Sequence, residues 1–146
     1  MYASLSDITA WLRDDTIDVD DANTKQHNIE AGRLIRSRLS GTFTPLVLTE
    51  WDEPDNTPEL IRSIAGRLAA AYLYRKLLSL QYDKEVASYA SELWAEANAE
   101  LTNIVLGNSI VVDDGNNPID TTGENLIKFF PNNSVPPLFT VSDKFS

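Results

Sequence analysis

The chain has 146 residues, 42% hydrophobic and 23% charged, which suits one packed domain rather than a disordered chain. Its 22 Asp and Glu against 12 Lys and Arg give a net charge of −10, a poor basis for gripping nucleic acid through Lys and Arg on phosphates. With no Cys, disulfides, thiolate chemistry and Cys-based metal sites are excluded, and no stretch approaches the roughly 20 apolar residues of a membrane span.

The opening MYASLSDITAWL lacks the basic and apolar regions of a secretory signal, so use in the cytoplasm, or in something assembled there, is expected. Ser4, with Asp7 three residues on, caps a short first helix. Ile8, Trp11 and Leu12 then fall on one face. The acidic run over residues 14–21 reads as a loop. It makes a poor calcium loop: counted from Asp18, the sixth position is Asn23 instead of Gly and the twelfth is Ile29 instead of Glu. A second helix is predicted over residues 21–39, with an apolar stripe of Ala22, Ile29, Leu34, Ile35 and Leu39. Arg33, Arg36 and Arg38 complement its C-terminal dipole, and Gly41 stops it.

Residues 42–57 read as a long loop, with an extended piece over residues 42–47. A third helix opens with Thr57 as N-cap and Pro58 at its first position, and continues to about Leu80. Leu60, Ile61, Ile64, Ala65, Leu68, Ala71, Tyr72 and Leu78 give it a wide apolar face. Small Gly66, Ala69, Ala70 and Ala71 allow a neighbouring helix to approach closely, so this is expected to be the central helix. A fourth helix spans about residues 83–106 and stops at Gly107. Val86, Ala90, Leu93, Ala97, Leu101 and Ile104 recur at helical spacing. Beyond it, Ile110-Val111-Val112 reads as a short strand and residues 113–125 as turns.

The expected fold is therefore mostly α: a compact four-helix bundle-like domain over residues 1–107, with a long loop between the second and third helices. A turn-rich linker over residues 108–125 and an extended C-terminal arm over residues 126–146 follow. The stretch FFPNNSVPPLFTVSDKFS, residues 129–146, carries four of the five Phe and three of the seven Pro. Proline keeps such an arm extended and lowers the entropy lost on docking, so Phe129, Phe130, Pro136, Pro137, Leu138, Phe139 and Phe145 are candidate anchors in a partner's pockets. Twenty extended residues reach up to about 65 Å.

Chemistry is sparse. The only His, His27, has no Ser or Asp arrangement around it in sequence, and no HExxH, Walker or GxGxxG motif occurs. No enzyme, metal or cofactor is expected. Glu92, Glu96 and Glu100 share one helix face, where three carboxylates four residues apart repel one another. That stripe reads as a solvent face, as one offset by bases from elsewhere, or as the wall of a channel whose cargo must not stick. Arg75 and Lys76 read as a complement to the helix dipole or as an inter-subunit salt bridge.

Tyr2-Ala3-Ser4-Leu5-Ser6-Asp7-Ile8 is similar to the Y-A-[ST]-x-x-D-[LI] opening of bacteriophage head–tail connector proteins, also called adaptor or head-completion proteins. Pro58, Leu60, Arg62, Ala65, Leu68, Ala69, Tyr72, Leu73, Tyr74 and Arg75 resemble the P-x-L-x-R…A…L-A…Y-L-Y-R stretch of that family. The likeness covers roughly residues 1–107 and is nearest to the group of Mu-like and related long-tailed phages. The loop holding Trp51 and the acidic region after Gly107 depart from it.

The resemblance implies a non-enzymatic virion protein at the neck, assembled in the host bacterial cytoplasm. It would form a homo-oligomeric ring, commonly of twelve copies, that docks under the portal protein and offers a platform to the next neck or tail-completion protein. DNA would pass through the ring without sequence-specific binding, and no membrane is involved. A stopper or tail-completion protein further down the neck, and a non-viral cytosolic helical regulator that binds a partner through the arm, remain as alternatives.

Overall fold

The computed structural model describes residues 1–13 and 22–121. The segment 14–21 and the arm, with the last part of the linker, lie outside the described residues. Five α-helices follow one another: α1 (Leu5–Thr9), α2 (Ala22–Leu39), α3 (Pro45–Glu50), α4 (Glu59–Leu80) and α5 (Lys84–Leu106), with a 3₁₀ turn at Pro54–Asn56. The protein is mostly α, and no strand occurs among the described residues.

α4 is the central helix, packed against α5, α2 and α1. Ile61, Ile64, Leu68, Ala69, Ala70, Leu73 and Tyr74 are all buried, so α4 is covered on nearly every side as far as Tyr74. Each fully buried Ile or Leu contributes about 1.5–3 kcal/mol relative to exposure. Of the predicted stripe, α5 buries Ala90, Leu93, Ala97, Leu101 and Ile104 and leaves Val86 half-buried against the core, and α2 buries Ala31, Ile35 and Leu39.

The N-terminal capping box forms as expected: the Asp7 N–H donates to Ser4 Oγ at 3.3 Å, and the Ser4 N–H donates to Asp7 Oδ2 at 2.8 Å. The helix is shorter than its periodicity suggests. It ends at Thr9, and Trp11 and Leu12 continue in a turn that still packs on the core. α1 lies so close to α4 that a Cβ on Gly66 would sit 2.6 Å from the Asp7 carbonyl oxygen.

Three local expectations are corrected. The predicted extended piece is helix α3, because Thr44 accepts from the Val47 N–H and Pro45 suits a first helical position. Thr57 does not cap α4. It is buried, its hydroxyl lies 2.6 Å from the Trp51 carbonyl and 3.0 Å from that of Glu53, and α4 begins at Glu59 after an extended Pro58. The predicted strand is reduced to one isolated antiparallel bridge, Val112 to Pro118, across a tight turn. There Asp113 Oδ1 accepts from the N–H groups of Gly115 and Asn117, and Asn116 takes a φ of 67°.

Candidate interaction surfaces

Helix directions place α3, the start of α4, the end of α5 and the 111–119 turn at one end of the bundle, here termed the base. Its core is aromatic. Trp51, only 4% exposed, meets Phe43 at 5.0 Å and Tyr2 at 6.4 Å between ring centres, and the Tyr2 hydroxyl donates to the Leu48 carbonyl at 2.8 Å. Burial raises the Tyr2 pKa above 10.0. The Met1 ammonium donates to the Asp52 carbonyl and carboxylate at 2.6 and 2.8 Å, and that bond holds the Asp52 carboxyl below its ordinary value. The opposite end, the tip, is the α4–α5 turn.

The three predicted acidic positions on α5 are not equivalent. Glu100 pairs with Arg67, whose guanidinium also lies 4.5 Å from the Trp11 ring centre. Glu92 and Glu96 are exposed, as is Glu85, and none of the three has an ion-pair partner among the described residues. This acidic flank is turned away from α2. The opposite flank of α5 faces α2: Arg38 donates to Asn98 Oδ1 and Thr102 Oγ1, both at 2.8 Å.

α2 carries the opposite sign. On its flank away from α5, Arg36 reaches Asp52 at 3.3 Å, while Lys25 and Arg33 are exposed with no ion-pair partner among the described residues. Residues 85–121, by contrast, carry seven carboxylates and no Lys or Arg.

The dipole role expected of Arg75 and Lys76 does not hold, because α4 continues to Leu80 and has no basic residue in its last turn. Arg75 instead lies over Trp94, 4.5 Å from the ring centre, within a stack that runs from His27 through Tyr72 to Trp94. Lys76 is exposed. His27 Nδ1 lies 2.9 Å from Glu30 Oε1, and its ring stacks on Tyr72. Burial, aided by Glu30, raises the Tyr72 pKa. This aromatic–guanidinium belt, with Arg13 3.7 Å from the Tyr89 ring centre, was not foreseen. Only the Tyr72–Arg75 spacing hinted at it, and its other pairs join separate helices.

Most of the exposed large apolar side chains stand toward the two ends, with Leu5 on α1 exposed as well. Leu80 and Tyr82 stand at the tip, 81% and 73% exposed, and Leu46, Leu106 and Ile110 stand near the base. The base also holds an open cleft of about 630 Å³. Val47, Trp51, Pro58 and Ile119 supply apolar wall, and Glu50, Asp55, Asp113 and Asp114 supply carboxylates. No group of three or more His, Cys, Asp or Glu placed to hold a metal occurs among the described residues. No helix is long and apolar enough to cross a membrane among them. The predicted anchors Phe129, Phe130, Pro136, Pro137, Leu138, Phe139 and Phe145 lie outside the described residues.

No protein family, curated protein or solved structure matches the chain.

Proposed function

We propose that the chain is a structural virion protein of the head–tail connector type, a ring subunit between the portal and the next neck component. The observation that carries this is the division of the surface: apolar side chains at both ends, an acidic flank on α5 and a basic flank on α2. Opposite flanks of opposite sign suit a head-to-tail contact between copies, which generates a closed ring when the rotation closes. Apolar ends suit stacking on partners above and below, about 34 Å apart along the 23 residues of α5. A net charge of −10 per copy lets DNA slide through such a ring, of about twelve copies, without sticking.

In this assembly Lys25 and Arg33 of one copy face Glu92 and Glu96 of the next, Lys76 stands near the tip, and the C-terminal arm, residues 126–146, serves as the clamp on a neighbour or the portal. The ring assembles in the bacterial cytoplasm and resides at the neck of the virion. The test is assembly with a co-expressed portal, read by light scattering and negative-stain imaging. Wild type is expected to form rings that co-purify with portal. Glu92→Lys with Glu96→Lys is expected to abolish the rings, and Lys25→Glu with Arg33→Glu to restore them. Full-length protein that stays monomeric beside the portal, or that co-purifies with a tail tube instead, overturns this placement.

A further inference from the structure

We propose that the cleft at the base receives the tip of a second copy of this chain, with Leu80 and Tyr82 against its apolar wall and Lys76 and Lys84 against its carboxylates. The cleft is part apolar and part acidic. Val47, Trp51, Pro58 and Ile119 supply the wall. Of its carboxylates, Asp113 is committed to the N–H groups of its own turn. The carboxylates of Glu50, Asp55 and Asp114 have no hydrogen-bonding or ion-pair partner among the described residues, and no Lys or Arg lines the cleft. Three like charges beside an apolar wall call for an occupant that is apolar at its centre and cationic at its edge.

The tip has that character, and it is the other end of the same molecule. Leu80 and Tyr82 are the two most exposed large apolar side chains among the described residues, at 81% and 73%. Residues 75–85 hold three cations and two carboxylates, on a chain whose net charge is −10. Asp83 is committed to capping α5, whereas Lys76 and Lys84 are exposed with no ion-pair partner among the described residues. Only residues 81–83 separate α4 from α5, so the tip is a blunt end with few side chains. A cleft of about 630 Å³ falls within the range of about 300–1,000 Å³ that takes such a group. Tip and base stand at opposite ends of the bundle, so the contact is heterologous and repeats along one axis as an open stack. A contact of so few side chains stays below the roughly 1,200 Å² of a stable interface, so it is weak between single copies.

The contact uses the ends of the bundle and does not depend on the connector reading, whose lateral contact uses the flanks of α2 and α5. The native chain has no Cys, so full-length Gln81→Cys and Asn56→Cys proteins, mixed and mildly oxidised, trap the contact as a disulfide-linked heterodimer. Intact mass tells it from either homodimer, and circular dichroism checks helix content. The heterodimer is expected to form about tenfold faster than either homodimer, the effect of roughly 1.4 kcal/mol. Lys76→Glu with Lys84→Glu in the Gln81→Cys chain is expected to remove that preference, and Asp55→Lys with Asp114→Lys in the Asn56→Cys chain to restore it. Tyr82→Ala in the Gln81→Cys chain is expected to reduce it. A heterodimer no faster than the homodimers, or indifferent to the sign of residues 76 and 84, overturns the assignment and leaves the cleft to a different protein. So does a preference that is lost with Glu92→Lys and Glu96→Lys, which would place the crosslink in the lateral contact. Rings without the heterodimer would leave the connector reading standing, and the heterodimer without rings would leave the end-to-end contact standing.

Discussion

Gly66 sets how closely the N-terminal segment approaches the central helix. The small residues of that helix were legible as a site of close approach, but the partner was not: it is the backbone of α1 at Asp7, nearly sixty residues earlier in the chain. Gly66→Ala forces a Cβ against a carbonyl oxygen, so it should destabilise the fold by about 1–3 kcal/mol, measured by urea unfolding. Tyr2 and Tyr72 give a second expectation. Burial raises both pKa values above 10.0, so the folded state keeps protons that the unfolded chain releases. Their contribution is complete below the unfolded value of 10.0 and is lost as pH rises through the folded values. Tm should therefore stay level to about pH 9 and fall beyond about pH 10. A curve that rises across that interval contradicts the assignment. Asp52 acts in the opposite sense, since its lowered carboxyl adds stability that is lost as pH falls below 3.8.

Helix α5 is the element whose limits follow most directly from local chemistry. The Asp83 carboxylate accepts from the Glu85 and Val86 N–H groups at 2.9 and 3.2 Å, and Gly107 closes the helix with a φ of 81°. Asp83→Ala and Gly107→Ala should each cost about 1 kcal/mol. Because the two caps stand at opposite ends of a 23-residue helix, the double variant should cost their sum within about 0.5 kcal/mol, checked by chemical denaturation. The start of α4 was harder to read. Thr57-Pro58 has the form of an N-cap and a first helical residue, yet the Thr57 hydroxyl is drawn to the Trp51 and Glu53 carbonyls, which its own helix start does not reveal. The same Thr-Pro pairing at Thr44-Pro45 does start a helix, α3.

Across the molecule, charge is segregated. Cations concentrate before residue 85, and residues 85–121 are purely acidic among their charged side chains. In the proposed ring this segregation becomes a lateral contact between exposed flanks, which salt screens over a Debye length of about 8 Å at physiological ionic strength. The rings should therefore dissociate toward 1 M salt, where that length shrinks to about 3 Å, with the change followed by light scattering. If the mass holds constant across that range, the contact between copies is not electrostatic.

Helix content, the central role of α4 and the buried stripe of α5 were all available from residue spacing and caps, since a helix is made of hydrogen bonds between near neighbours. The two-sided charge of the bundle was only half visible. Glu92, Glu96 and Glu100 shared a face on paper, but packing removed Glu100 by bringing Arg67 to it from another helix. The bonds from Arg13 to Tyr74, from Tyr89 to Trp11 and from Arg38 to Asn98 join positions more than fifty residues apart. The acidic cleft likewise joins residues 47–58 to residues 113–119. Periodicity within one segment carries no record of which segment packs beside it. Those contacts were settled when a helix buried on nearly all sides gathered the rest of the chain around itself.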